Sequence, residues 1–275
     1  MRKSFFFFIT FILSVALLLG ISLFAINSST SEKKIQGYLE KTNSYSLIAG
    51  WIRDQLVKNS TIDLKHGQNL EILNETVNTE VATILVNDSL SEIFSAISLT
   101  KNEIIFNYSA LIDQFEASTG LKLSLLPNEG SDHLFRFEVN NPIMFKLFSK
   151  FPLLELSMIA IALISIVTIF LLAHSNKERF LPIGIAFVLT ALAALSITIL
   201  IRTLGLEYIL RQLELQDPKL IIIASRLLEA GSLEIQRVFI AGTVIFGAAG
   251  LVAVTIFRPA HKDKIELIGR AIDGK

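Results

Sequence analysis

Cysteine is missing from the 275 residues. With it go disulfide frameworks, thiolate metal sites and cysteine nucleophiles, and an exported domain built without disulfides fits a prokaryotic envelope better than a eukaryotic surface. Charge is scarce as well: Asp, Glu, Lys and Arg make up 18% of the chain, against about 25% in ordinary soluble domains. The 25 basic and 25 acidic residues cancel. That leaves no surplus of cations for a phosphate backbone and argues against a nucleic-acid partner.

Chemistry-bearing patterns are equally sparse. The four histidines, His66, His133, His174 and His261, are scattered, and none forms an HExxH or a pair at helical ligand spacing, so no metal is expected. There is no GxSxG elbow and no Walker-type glycine loop. An intramembrane enzyme or ion-coupled pump needs ionisable groups at depth, often paired. The apolar stretches here carry only isolated Ser and Thr. The expectation is a protein that is not an enzyme and holds no cofactor.

What the chain does have is apolar length, with 52% hydrophobic residues. A bilayer core of about 30 Å needs about 20 consecutive apolar residues in a helix. Residues 5–26 (FFFFITFILSVALLLGISLFAI), 156–173, 180–201 and 238–257 meet or nearly meet that length, without a single Asp, Glu, Lys, Arg or His. A helix buried in a soluble domain would show a polar stripe. The first run also resembles a signal peptide, but it exceeds the usual h-region of about 7–15 residues and reads better as an uncleaved anchor.

Orientation follows from Lys and Arg near the ends of the runs, because cytoplasmic loops retain them. Residues 1–4, 174–179 and 258–275 contain nine basic residues in 28, among them Arg2, Lys3, Lys177, Arg179 and Arg258. Residues 202–237 hold five in 36, matched by five acids. Both termini and the 174–179 turn are therefore expected inside the cytoplasmic membrane, with 27–150 and 202–237 outside. Membrane lipids are the partners this layout implies directly.

The exported segment 27–150 reads mainly helical. One pattern joins Ile35, Tyr38 and Leu39 to Ile48, Trp51, Ile52 and Leu56 across a weak point at Asn43 and Ser44. A second places Leu70, Leu73, Val77, Val81, Ile84 and Leu85 on one face, after which Ser89 and Glu92 stand at capping-box spacing and predict a new helix start. A fourth helix is expected over 107–118, ended by Gly120. Alternation in 121–126 and 134–139, around the turn formers of 127–132, predicts a β-hairpin. A short interfacial helix is expected over 143–152. In 202–237, two amphipathic helices, 206–216 and 219–230, are split at Asp217 and Pro218, with Gly231 as terminator. They lie either on the membrane surface or against the exported domain.

The fold class is thus an all-α membrane protein: four transmembrane helices and a mainly helical extracytoplasmic domain with one β-hairpin. Candidate contact residues are few. Ala186, Thr190, Ala194 and Thr198 recur every four residues along the third span, and Thr243, Gly247 and Gly250 make a similar smooth surface on the fourth. They serve either packing within the chain or contact with a second copy or partner helix. Trp51, Phe135 and Phe137 are candidates for interaction, each also suited to a core. Asn-x-Ser/Thr triplets start at Asn27, Asn59, Asn74, Asn87 and Asn107 and read as solvated polar residues unless the host glycosylates them. Functionally, a non-enzymatic envelope protein that docks a protein partner or forms a homo-oligomer is expected first. A sensor or ligand-binding receptor subunit acting through a partner is the alternative. A small channel or lipid-handling protein comes third.

Overall fold

The computed structural model describes residues 2–59, 68–99, 103–107, 109, 112–113, 116–117, 134–138, 149–213, 215 and 217–257. Helices α1 (Arg2–Ser29), α2 (Glu32–Lys41), α3 (Ser44–Asn59), α4 (Gln68–Thr76) and α5 (Thr79–Leu99) come first, followed by strands β1 (Glu103–Asn107) and β2 (Leu134–Glu138). Then stand α6 (Phe151–Leu172), α7 (Asn176–Leu200), a π-helical turn (Ile201–Gly205), α8 (Leu206–Gln212) and α9 (Pro218–Phe257). Four of these helices, α1, α6, α7 and α9, are long and apolar enough to cross a membrane. That marks a multi-pass membrane protein.

The chain divides into two compact units. One, the span unit, comprises Met1–Ala25, Leu153–Leu200 and Gln236–Lys275. Its core gathers Ile9, Leu13 and Ala16 of α1, Ala162 and Ile169 of α6, and Ile183 and Ala186 of α7. Phe6 packs against the same cluster, Phe180 stands edge-on to Phe170 at 5.5 Å, and Phe180 stacks on Phe257 at 4.9 Å. The start of α1, the α6–α7 corner and the end of α9 therefore meet at one end of this unit. These are the helix ends next to the three basic segments.

Between α7 and α9 the backbones nearly touch. A Cβ on Gly250 would lie 2.8 Å from Val188 Cγ2 and 2.9 Å from the Gly184 carbonyl oxygen, and one on Gly184 would lie 2.8 Å from Ala253 Cβ. Only glycine permits that approach, the geometry small residues allow between apolar helices.

The other, the connector unit, comprises Ile26–Pro152 and Ile201–Ile235. Both long connectors thus fold as one body. Its core is Ile52, Leu56, Leu73, Val77 and Ile112, with Ile48, Trp51, Val81 and Leu85 against it. The weak point at Asn43 is a true break, since Asn43 takes a left-handed φ of 53°, which Asn tolerates through its short polar side chain. α4 and α5 part at Val77 and Asn78, where Asn78 Oδ1 accepts the Val81 N–H at 3.0 Å and caps α5.

Several expectations are corrected. Ser89 and Glu92 start no helix: α5 runs through them, and the Ser89 hydroxyl donates back to the Leu85 carbonyl at 2.7 Å. Leu70 and Ile84 are exposed, whereas Ala82 and Ala96 are fully buried and join Val81 and Leu85 on the inward face of α5. Gly231 terminates nothing, because α9 is continuous from Pro218 to Phe257; one glycine costs a helix about 1 kcal/mol, which its neighbours outweigh. The 206–216 helix shortens to α8 behind a π-helical turn. The 174–179 turn narrows to 173–175, and Lys177, Glu178 and Arg179 form the first turn of α7. There Glu178 accepts the His174 N–H at 2.9 Å while its own N–H donates to Ser175 Oγ at 3.3 Å, a variant of the capping box.

β2 pairs antiparallel with β1, Phe135 opposite Phe106 and Phe137 opposite Ile104. Of the expected hairpin, 121–126 and the turn 127–132 lie outside the described residues, as do His66, His133, His261, Gly120 and residues 143–148 of the interfacial helix. Within 107–118, Asn107 closes β1, and Ser109, Ile112, Asp113, Glu116 and Ala117 are helical.

Candidate functional site

The connector unit is braced at the start of α9. Asp217 precedes Pro218, an N-cap followed by proline at the first helical position. Asp217 Oδ1 accepts the N–H of Lys219 at 2.8 Å and of Leu220 at 3.4 Å, while Oδ2 accepts the Trp51 indole N–H at 3.1 Å. Lys219 Nζ meets Asp54 Oδ2 at 2.6 Å and donates to the Gly50 carbonyl at 3.1 Å. Two turns further, Arg226 donates to the Thr42 carbonyl at 2.8 Å, satisfying a group left open where α2 ends. Lys34 and Glu234 pair at 3.6 Å. A half-exposed ion pair contributes about 0–1 kcal/mol, and a hydrogen bond to a charged acceptor about 1.5–3 kcal/mol. Asp217 is therefore the strongest link in the brace.

Below the brace lies a cavity of about 360 Å³. Its wall comes from the end of α1 (Ser29, Thr30), α2 (Ile35, Tyr38), the π-helical turn (Ile201, Gly205), α8 (Ile209) and α9 (Leu227, Leu228, Gly231, Ser232, Ile235). The surface is almost wholly hydrocarbon, and no lining side chain is charged at neutral pH. Thr30 and Ser232 donate to their own helices, at the Ile26 and Glu229 carbonyls. Ser29 differs: it is 3% exposed, and its hydroxyl has no hydrogen-bond partner among the described residues. At Gly231 the open Cβ position lies 4.0 Å from Tyr38 Cε2, an ordinary contact, so a larger side chain there would extend into the cavity.

In the span unit, Ala186, Thr190, Ala194 and Thr198 are all buried. Thr190 Oγ1 donates to the Ala186 carbonyl at 2.9 Å and lies 3.4 Å from Ser14 Oγ, so this ridge faces α1. Thr243 lies 3.4 Å from the Ala191 carbonyl, and Gly247 and Gly250 face α7 through Ala191 and Val188. These residues thus meet helices of their own chain. Ser165, Thr168 and Ser196 each donate to the carbonyl four residues back in their own helix. A cleft of about 390 Å³ between α1, α6 and α9 is floored by Ala16, Gly20, Ala241 and Gly242 and is again apolar.

Trp51 is drawn into the core and the Asp217 contact rather than outward. Phe135 and Phe137 are placed by backbone pairing alone. Asn74 and Asn87 are engaged within the fold, accepting from Arg53 at 2.8 Å and from the Tyr45 hydroxyl at 2.8 Å. Among the described residues no three His, Cys, Asp or Glu side chains gather as a metal set would. Compared with known proteins, the chain matches no family model, no curated protein and no solved structure. Sequence reasoning passed over Ser29 and Gly184, took Tyr38 only as an apolar helix position, and read Asp217 with Pro218 only as a break between helices. Of these only Asp217 carried a usable signal, the Asp-Pro pair at a helix start; Ser29 is one hydroxyl among many.

Proposed function

We propose that this chain is a non-enzymatic integral protein of the cytoplasmic membrane in a cell envelope, both termini inside, whose extracytoplasmic connector unit is a recognition body for a protein partner or a second copy of itself. The brace carries this reading. Two connectors serving only to join spans have no need of shared core and cross-links, whereas a binding surface gains affinity when its parts are held in place before the encounter. Trp51, Asp217, Lys219 and Arg226 hold the parts of this one.

Gentle detergent extraction followed by size-exclusion and mass analysis tests it. The wild-type chain is expected as a defined homo-oligomer or with a stoichiometric companion, and Asp217→Ala with Arg226→Ala is expected to lose it while remaining in the membrane. A wild-type monomer without companions would sink the reading. A second reading, a ligand-binding receptor subunit, is favoured by the cavity beside Ser29. The channel reading loses support, since the span hydroxyls described above are bonded to their own helices.

A further inference from the structure

We infer that the cavity beside Ser29 holds one acyl chain of a bilayer glycerolipid. This rests on the ligand-binding reading and names its ligand. The lining chemistry decides the class first. Ile35, Ile201, Ile209, Leu227, Leu228 and Ile235 offer hydrocarbon, and a charged ligand would lose its hydration with no counter-charge in the wall. Nucleotides, amino acids and free carboxylates are poor occupants on that ground.

Size comes next. An apolar cavity of about 150 Å³ stays dry and takes up benzene. This one, at about 360 Å³, falls in the range of small-molecule sites, about 300–1,000 Å³. A single hydrocarbon chain meets both demands.

The source follows from where the wall residues stand in the chain. Ser29 and Thr30 come just after the apolar run that ends at Ile26, Ile201 follows α7 directly, and Ile235 stands just before the run that opens at Val238. Three apolar stretches end where the cavity begins, and the ends of such stretches meet the ester groups of the bilayer. A lipid reaches such a site without crossing water. The π-helical turn contributes Ile201 and Gly205 to the wall, and such turns are frequent at functional sites.

The test uses the full chain in phosphatidylcholine nanodiscs containing a small fraction of phosphatidylcholine with a diazirine on one acyl chain, photolysed and mapped by mass spectrometry. Adducts are expected on Leu227, Leu228 or Ile209. Gly231→Leu fills the cavity without lowering helix propensity; it should cut those adducts roughly tenfold and leave labelling of the exposed α6 residues Leu163 and Leu171 unchanged. Adducts confined to lipid-facing span residues would overturn the inference, as would cavity labelling indifferent to Gly231→Leu. In a parallel arm with a diazirine fatty acid, cavity labelling by the acid and none by the phospholipid would also overturn it. Copurification of a companion reports on the recognition reading separately, because Gly231→Leu leaves the brace residues intact.

Discussion

Tyr45 illustrates how one side chain in the connector unit ties pH to stability. Its hydroxyl donates to Asn87 Oδ1 at 2.8 Å and joins α3 to α5. Burial pushes the phenol above its ordinary value of 10.0, and the negative charge of Glu40 pushes in the same direction. The folded pKa exceeds the unfolded one, so the stabilisation is fully present below about pH 10 and is lost as pH rises through the folded value. Following tyrosinate absorbance in the full chain, which has four tyrosines, Tyr45→Phe is expected to remove one tyrosine that ionises above the ordinary range. The variant should also lose part of the stability decline above pH 10, at a cost of about 1 kcal/mol at neutral pH for the missing hydrogen bond. An unchanged alkaline titration would refute this. None of it was legible beforehand, because Tyr45 fell at the edge of the apolar pattern and its partner Asn87 looked like a solvated acceptor. Trp51 shows the same blind spot: its apolar spacing placed it on the core face, but nothing local announced that its indole would reach Asp217, 166 positions away.

At the scale of elements, Gly250 and Gly247 provide a matched pair of tests one turn apart on α9. A Cβ at Gly250 would press on Val188 N and the Gly184 carbonyl at 2.9 Å, whereas one at Gly247 would rest 3.6 Å from Ala191 Cβ, an ordinary contact. Gly250→Ala must push backbone apart and should destabilise by about 1–3 kcal/mol. Gly247→Ala should be neutral or stabilise by up to about 1 kcal/mol through helix propensity. Unfolding of the full chain by titrating a denaturing detergent into a mild one reads the difference, and equal effects would refute the close approach. The small residues on both helices were visible in the sequence because a ridge needs only local spacing. Gly184 was not, since it matters solely through Gly250 and Ala253 on another helix. The same distinction explains α5. Large apolar residues pointed to Ile84 as core, but the helix turns Ala82 and Ala96 inward, and alanine gives little signal in a hydrophobic pattern. The Ser89 and Glu92 pair matched a capping box in spacing alone, while Asn78, a lone cap at the real break, did the work.

For the whole molecule, four apolar runs and their basic flanks were enough to read off four candidate spans, because length against bilayer thickness is a property of composition. Joining of the two connectors into one unit was open in the sequence, where surface helices and packed helices look alike, and was decided by Asp217, Lys219 and Arg226. That joining constrains topology. A single compact unit cannot lie on both faces of a membrane, so Glu80 on α5 and Arg211 on α8 must share a side. α6 and α7 are joined by only residues 173–175, so Asn176 belongs at the opposite ends of those spans. The chain has no cysteine of its own, so Glu80→Cys, Arg211→Cys and Asn176→Cys each give a single reporter. A membrane-impermeant maleimide applied to intact cells should label the first two and reach the third only after permeabilisation. Labelling of Asn176→Cys together with Glu80→Cys in intact cells would mean that α6 and α7 do not cross. Opposite behaviour of Glu80→Cys and Arg211→Cys would break the connector unit itself, and with it the brace and cavity on which the functional reading stands.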